Sequence, residues 1–154
     1  MSGQPTRFDP GPFRWLGIEA QEYKPSGGAE RGTGSSGVSR HVLASGEELE
    51  AAFDLRYFEL APGGYSSLEK HRHAHLVIAL RGSGLALVDA ELFELRPFDA
   101  VRVPPLVPHR FINEGKHPFG FLCPVDSERD RPQPLDDDEW ARLRATPAIA
   151  QYVF

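Results

Sequence analysis

The sequence predicts an all-β domain, a sandwich or barrel, on three observations. Short candidate strands recur at intervals of about ten residues through the middle of the chain. Turn chemistry separates them, and fifteen glycines with fourteen prolines are more than a helical chain of 154 residues accommodates. Alternation of period two is clear in places: Leu55, Tyr57 and Glu59 share one face of a strand, and Arg56, Phe58 and Leu60 share the other.

The elements follow in order. Residues 38–43 read as a first strand and 45–53 as a turn or one helical turn. Residues 55–61 form the next strand, and Pro62-Gly63-Gly64 signals a turn after it. A strand over 71–80 is expected, closed by Arg81-Gly82-Ser83-Gly84. Residues 85–88 and 91–95 make a hairpin around Asp89-Ala90, and Pro97-Phe98-Asp99 turns the chain into a short apolar strand at 100–103. Two more strands are expected at 109–113 and 119–125. This assigns the barrel to residues 38–127. Residues 1–37, with a Gly/Ser-rich extreme from Gly27 to Gly37, read as a flexible or partly ordered arm. Trp15 and Leu16 are its apolar anchors. The tail, 128–154, carries an acidic run at 136–139 and one short helix.

Composition excludes several functions. The formal charge is −5 and lysine and arginine nowhere cluster, which disfavours nucleic acid or an anionic membrane as partner. No apolar stretch approaches the ~20 residues that span a bilayer. The first residues lack the apolar centre of a secretion signal. The single cysteine, Cys123, allows no internal disulfide and fits a reducing compartment, so a cytoplasmic location is expected.

The chemistry lies in the histidines. His71, His73 and His75 fall on one face of the expected strand, together with Glu69. Three imidazoles and a carboxylate make a poor apolar core; nitrogen and oxygen lone pairs on one pleat suit a divalent transition metal. His41 and His117 read as surface residues. So do Arg56, Arg81, Arg102 and Arg110, which are otherwise candidates for phosphate or carboxylate recognition. Asn113 is expected to hold a strand end. Cys123 shares parity with Phe119 and Phe121 and so faces the interior. It is either an inert buried thiol or a reactive one beside the metal.

The stretch GGYSSLEKHRHAHLVIALRGSG resembles the first motif of the cupin family when aligned on Gly63 and Gly82, with its ligand types permuted. Glu69 falls on the first histidine position, His71 on the second, and His75 on the glutamate position. Residues 104–113, PPLVPHRFIN, resemble the second motif, with Leu106 in place of its glycine and His109 at the fourth ligand position. Asp99 resembles the aspartate opening that motif. The resemblance spans about residues 54 to 125. It implies a jelly-roll barrel and a metal held by Glu69, His71, His75 and His109, with His73 as a possible substitute ligand.

Over wider segments the chain is similar to a group of small bacterial single-cupin proteins that includes manganese-dependent sulfurylases of sulfur salvage. That resemblance implies a metal-dependent enzyme that removes a methylthio group from a small sugar phosphate with a thiol such as glutathione as acceptor. It further implies Cys123 as a catalytic residue, manganese as the metal with iron, nickel or zinc as alternatives, and a homodimer. An iron-dependent dioxygenase and a non-catalytic small-molecule-binding barrel are the alternatives, since the fold hosts many chemistries.

Overall fold

Strand alternation decides which residues meet inside this protein. The computed structural model describes residues 3–24 and 30–154. In chain order its strands are β1 (Phe8–Asp9), β2 (Arg14–Trp15), β3 (Gln21–Glu22), β4 (Ser36–Ala44), β5 (Phe53–Tyr65), β6 (His75–Arg81), β7 (Gly84–Val88), β8 (Glu91–Leu95), β9 (Ala100–Val103), β10 (His109–Ile112) and β11 (Phe119–Asp126). Helix α1 (Gly46–Leu49) links β4 to β5, and α2 (Asp137–Arg144) follows the strands. The main sheet runs β8-β7-β10-β5-β11-β6-β9, with β4 added on β5, and curls into a nearly closed barrel. The all-β jelly-roll expectation holds.

The long strand β5 joins the two walls. Its first part lies between β4 and β11, with Phe58 opposite Arg40 on one side and Phe121 on the other. Its last residue, Tyr65, pairs with Ile112 of β10. Pro62-Gly63-Gly64 does not end the strand as expected. It forms a wide bulge, since Leu60 to Tyr65 faces only Val38 to Ser36. Asn113 holds that bulge through hydrogen bonds between Gly63 N–H and the Asn113 carbonyl (2.9 Å) and between Asn113 N–H and the Gly64 carbonyl (2.9 Å). The Asn113 side chain also donates to the Leu60 and His117 carbonyls, at 2.9 and 2.8 Å, and is the expected strand-end clamp.

Inward positions of the strands build the barrel core from Phe58, Leu60, Val77, Phe111, Phe119 and Phe121, with Cys123 among them as its parity predicts. Outward positions of β7 and β10, Leu87 and Ile112, pack instead against Leu143 of α2 and against Ile149 and Val153. The tail therefore covers one wall, and it carries the expected short helix. Asp136 caps it and exchanges bonds with Glu139.

The largest departure lies just before β6. The expected strand over 71–80 begins only at His75. Residues 71–74 bend because the Asp130 carboxylate captures the Arg72 and His73 amides, at 2.8 and 3.2 Å. Those amides find no strand partner and need none. Two backbone positions in this region require a left-handed conformation. Gly82 has φ +61°, and a Cβ there would lie 2.3 Å from the Pro118 carbonyl oxygen. Leu106, at the position where the cupin motif has glycine, has φ 61° and is exposed, so the turn persists without the glycine.

The segment before β4 is docked on the barrel. Trp15 packs on Tyr57 at 5.2 Å between rings, and Arg14 reaches Glu59 with both terminal nitrogens at 3.1 Å. Leu16 does not anchor it and is 61 % exposed. Residues 27–29 of the Gly/Ser-rich run lie outside the described residues, while Ser36 and Gly37 enter β4. Among the described residues no helix is long and apolar enough to cross a membrane.

Candidate metal centre

His109 arrives at the histidine cluster from a distant part of the chain by a backbone bridge. Its N–H donates to the Glu69 carbonyl at 2.9 Å, and Glu69 N–H returns a bond at 3.2 Å. The ring of His109 then lies 4.8 Å from that of His71 and 5.2 Å from that of His75. The potential ligand atoms of His71, His75 and His109 all lie within 4.8 Å of one another.

Their hydrogen bonds settle the tautomers. Nδ1 of His71 lies 2.7 Å from the His73 carbonyl, and Nδ1 of His109 lies 2.9 Å from the Val107 carbonyl. A carbonyl only accepts, so each Nδ1 carries the proton and each Nε2 presents a lone pair. Nε2 of His71 faces Nε2 of His75 at 2.8 Å, while Nδ1 of His75 lies 3.0 Å from the Cys123 sulfur. With Nδ1 of His75 donating to that sulfur, two lone pairs confront each other. Two nitrogens bound to one ion at about 2.1 Å and at right angles would stand about 3 Å apart. The donor set thus fits a divalent transition metal.

Burial keeps these rings neutral. Desolvation, then the neighbouring charges of His109 and His73, depresses His71 to about 4. Desolvation, reinforced by His109 and His71, holds His75 well below the usual histidine range, and burial likewise lowers His109. This has a thermodynamic consequence for the metal-free protein. Below 6.5 the unfolded chain protonates His71, while the folded state resists until about 4. Stability should therefore be full above about pH 7 and decline as the pH drops toward 4. Calorimetric melting of chelator-treated protein across that range should show the fall; a flat midpoint would contradict it.

The other predicted residues take different places. Glu69 is buried, and both its side-chain contacts fall on Oε2: Ser67 Oγ donates at 2.7 Å, and the Lys24 ammonium forms an ion pair. His73 stacks on His71 with ring centroids 3.7 Å apart, its Nδ1 2.8 Å from Asp130. The Arg72 amide, followed by the His73 bonds, holds the Asp130 carboxyl well below the usual range. Cys123 is 2 % exposed; burial pushes its thiol up, opposed by the Arg56 guanidinium 3.7 Å away.

Three residues behave differently from their sequence reading. His41 is buried against Tyr57 rather than on the surface, whereas His117 is exposed as expected. Arg56 and Arg110 are also buried, not surface residues. Arg110 donates to the carbonyls of Ser66, Tyr152, Gly32 and Phe154, which belong to three segments remote from one another. Burial brings its guanidinium down to about 10. Tyr23 enters the site unpredicted, 3.1 Å from Ser67 Oγ. Its phenol is pushed above its usual range by burial and by Glu69. Lys24 was equally hidden in the sequence; an aromatic-lysine pair ahead of a glycine-rich run carries no local signal of contact with Ser67 and Glu69.

The histidines, Cys123 and Glu69 line one cavity of about 260 Å³, a size for a small metabolite. A double-walled β-barrel with a histidine trio on its inner wall is the architecture of a cupin, and this chain belongs to the cupin family; the cupin domain model matches residues 56–125. Over 141 residues the chain is 40 % identical to the 1-methylthio-D-xylulose 5-phosphate methylsulfurylase of Rhodospirillum rubrum, covering 92 % of this chain and 86 % of that one. The crystal structure of a cupin-2 domain from Rhodospirillum rubrum superposes with a TM-score of 0.79 at 38 % identity, covering 97 % of this chain and 96 % of the other. A cupin 2 conserved barrel domain protein from Rhodopseudomonas palustris gives 0.80 at 39 % identity, over 92 % and 94 % of the two chains.

Proposed function

We propose that this cupin is a methylsulfurylase that removes the methylthio group of 1-methylthio-D-xylulose 5-phosphate and passes it to a thiol, glutathione. His71, His75, His109 and Glu69 hold a divalent ion, manganese, and Cys123 receives the methylthio group. The observation that carries this reading is the placement of the Cys123 sulfur 3.0 Å from an imidazole of the trio, on the wall of the same cavity. The similarity to the methylsulfurylase of Rhodospirillum rubrum supports the substrate.

A divalent ion bound there supplies Lewis-acid stabilisation for the substrate's carbonyl and hydroxyl oxygens. Glu69 would complete the ligand set through Oε1, while Oε2 keeps its contacts with Ser67 and Lys24. Nδ1–H of His75 and the Arg56 guanidinium favour thiolate at Cys123. That thiolate attacks the methylthio sulfur: an S–S bond forms, the C1–S bond breaks, and its electron pair stays with C1. The proton given up by the thiol ends on C1, yielding the 1-deoxy sugar phosphate. Glutathione thiol then takes the methylthio group as a mixed disulfide and returns Cys123 to its thiol.

Metal analysis of the purified protein, followed by incubation with 1-methylthio-D-xylulose 5-phosphate and glutathione, tests the reading. Bound manganese, no O₂ uptake, and formation of 1-deoxy-D-xylulose 5-phosphate with the methylthio–glutathione disulfide are expected. Bound iron with O₂ consumption would replace it with a dioxygenase. Binding without turnover would replace it with a non-catalytic barrel.

A further inference from the structure

The cavity of this acidic protein has a cationic wall. Lys24, Arg40, Arg56 and Arg129 line it against the carboxylates of Glu69 and Asp130. Lys24 is paired with Glu69, Asp130 is bound by His73, and Arg129 is paired with Asp54 at 2.5 Å. Among the described residues Arg40 and Arg56 have no carboxylate partner. Arg40 donates to the Gln21 amide oxygen at 3.0 Å and Arg56 to the Cys123 sulfur at 3.7 Å.

Strand register puts the two together. Val42 of β4 faces Arg56 of β5, and Arg40 faces Phe58. The arginines are therefore diagonal neighbours on one face, a separation long side chains bridge. Arg56 is 9 % exposed, and the Nε atoms of both arginines are buried without a hydrogen-bond partner. A buried guanidinium nitrogen left unbonded is costly, and two like charges held side by side add repulsion. An anion between them would remove both costs, and a guanidinium fork matches the oxygens of a phosphate.

We propose that Arg40 and Arg56 form an anion subsite that takes the phosphate monoester of the substrate. The assignment rests on the sugar phosphate reading above and specifies which end of the cavity the phosphate occupies. Beside Cys123, Arg56 links that subsite to the reacting sulfur, so the bound phosphate sets how the remaining carbons extend toward the histidines.

Calorimetric binding of D-xylulose 5-phosphate and of D-xylulose to the metal-loaded full chain tests this without requiring turnover. The wild type should prefer the phosphate ester by more than about tenfold. Arg40→Met should erase most of that preference while leaving D-xylulose binding unchanged, and Arg56→Met should do the same if it folds. Arg96→Gln, which removes one exposed positive charge outside the cavity, should leave the preference intact. Equal wild-type affinity for the two sugars would overturn the proposal, as would a preference surviving Arg40→Met or an equal loss in Arg96→Gln. S-methylglutathione separates the phosphate from the acceptor's carboxylates: a loss confined to it in Arg40→Met would also overturn the assignment. A preserved preference in a protein that fails to turn over the methylthio sugar would support the subsite while removing the proposed reaction.

Discussion

His109→Ala, or His71→Ala, is expected to lower metal affinity by more than 100-fold, because even partners that merely orient a ligand contribute about 10–100-fold. Each substitution removes one of three imidazoles whose donor atoms lie within 4.8 Å of one another. The remaining pair cannot close the coordination shell. His73→Ala should behave differently, since Nδ1 of His73 is committed to Asp130 and its ring serves as a stacking surface for His71. A drop of about tenfold, within the range for orienting partners, is the expectation there. Metal content by elemental analysis after gel filtration, with thermal melting of the same samples, distinguishes the cases. The core of Phe58, Leu60, Phe119 and Phe121 does not depend on the ion, so all three variants should stay folded. Full metal occupancy in His109→Ala would remove the proposed centre. A loss in His73→Ala as severe as in His71→Ala would make His73 a ligand in place of Glu69 or His75.

The strands were legible where local pattern and pairing agree. The hairpin at Asp89-Ala90 and the strand at Ala100–Val103 follow directly from alternation and turn residues. The grouping of His71, His75 and His109 was legible too, the first two from their spacing and His109 from the resemblance to the second cupin motif. What escaped depends on partners far away in sequence. Residues 71–74 leave the strand because Asp130 supplies their acceptors. The two Pro62–Gly64 glycines bulge rather than turn because Asn113 pairs with the backbone on the far side. Arg110 is buried because four remote carbonyls converge on it, a coincidence no local window contains. His41 reads as a surface residue because it lies outside both motifs. Its ring instead faces Tyr57 across the β4–β5 ladder.

Cys123→Ser is expected to abolish methylthio transfer, by about 10³-fold or more in kcat, while leaving metal content unchanged. Serine is nearly isosteric, and its hydroxyl can accept from Nδ1 of His75 and from Arg56 where the sulfur now sits. The packing around this residue is therefore retained, and a fall in rate reports the sulfur itself. An alcohol at this position is far too basic to ionise near neutral pH, and an S–O bond is a poor substitute for the mixed disulfide. With glutathione withheld, the wild type should release one equivalent of deoxy sugar phosphate per active site and gain the mass of one methylthio group on the tryptic peptide bearing Cys123. Adding glutathione should discharge that peptide. Cys123→Ser should show neither the burst nor the adduct. Turnover within a few-fold of wild type in this variant would mean that the external thiol attacks the substrate sulfur directly. Cys123 would then be a packed side chain among Phe58, Phe121 and Val125.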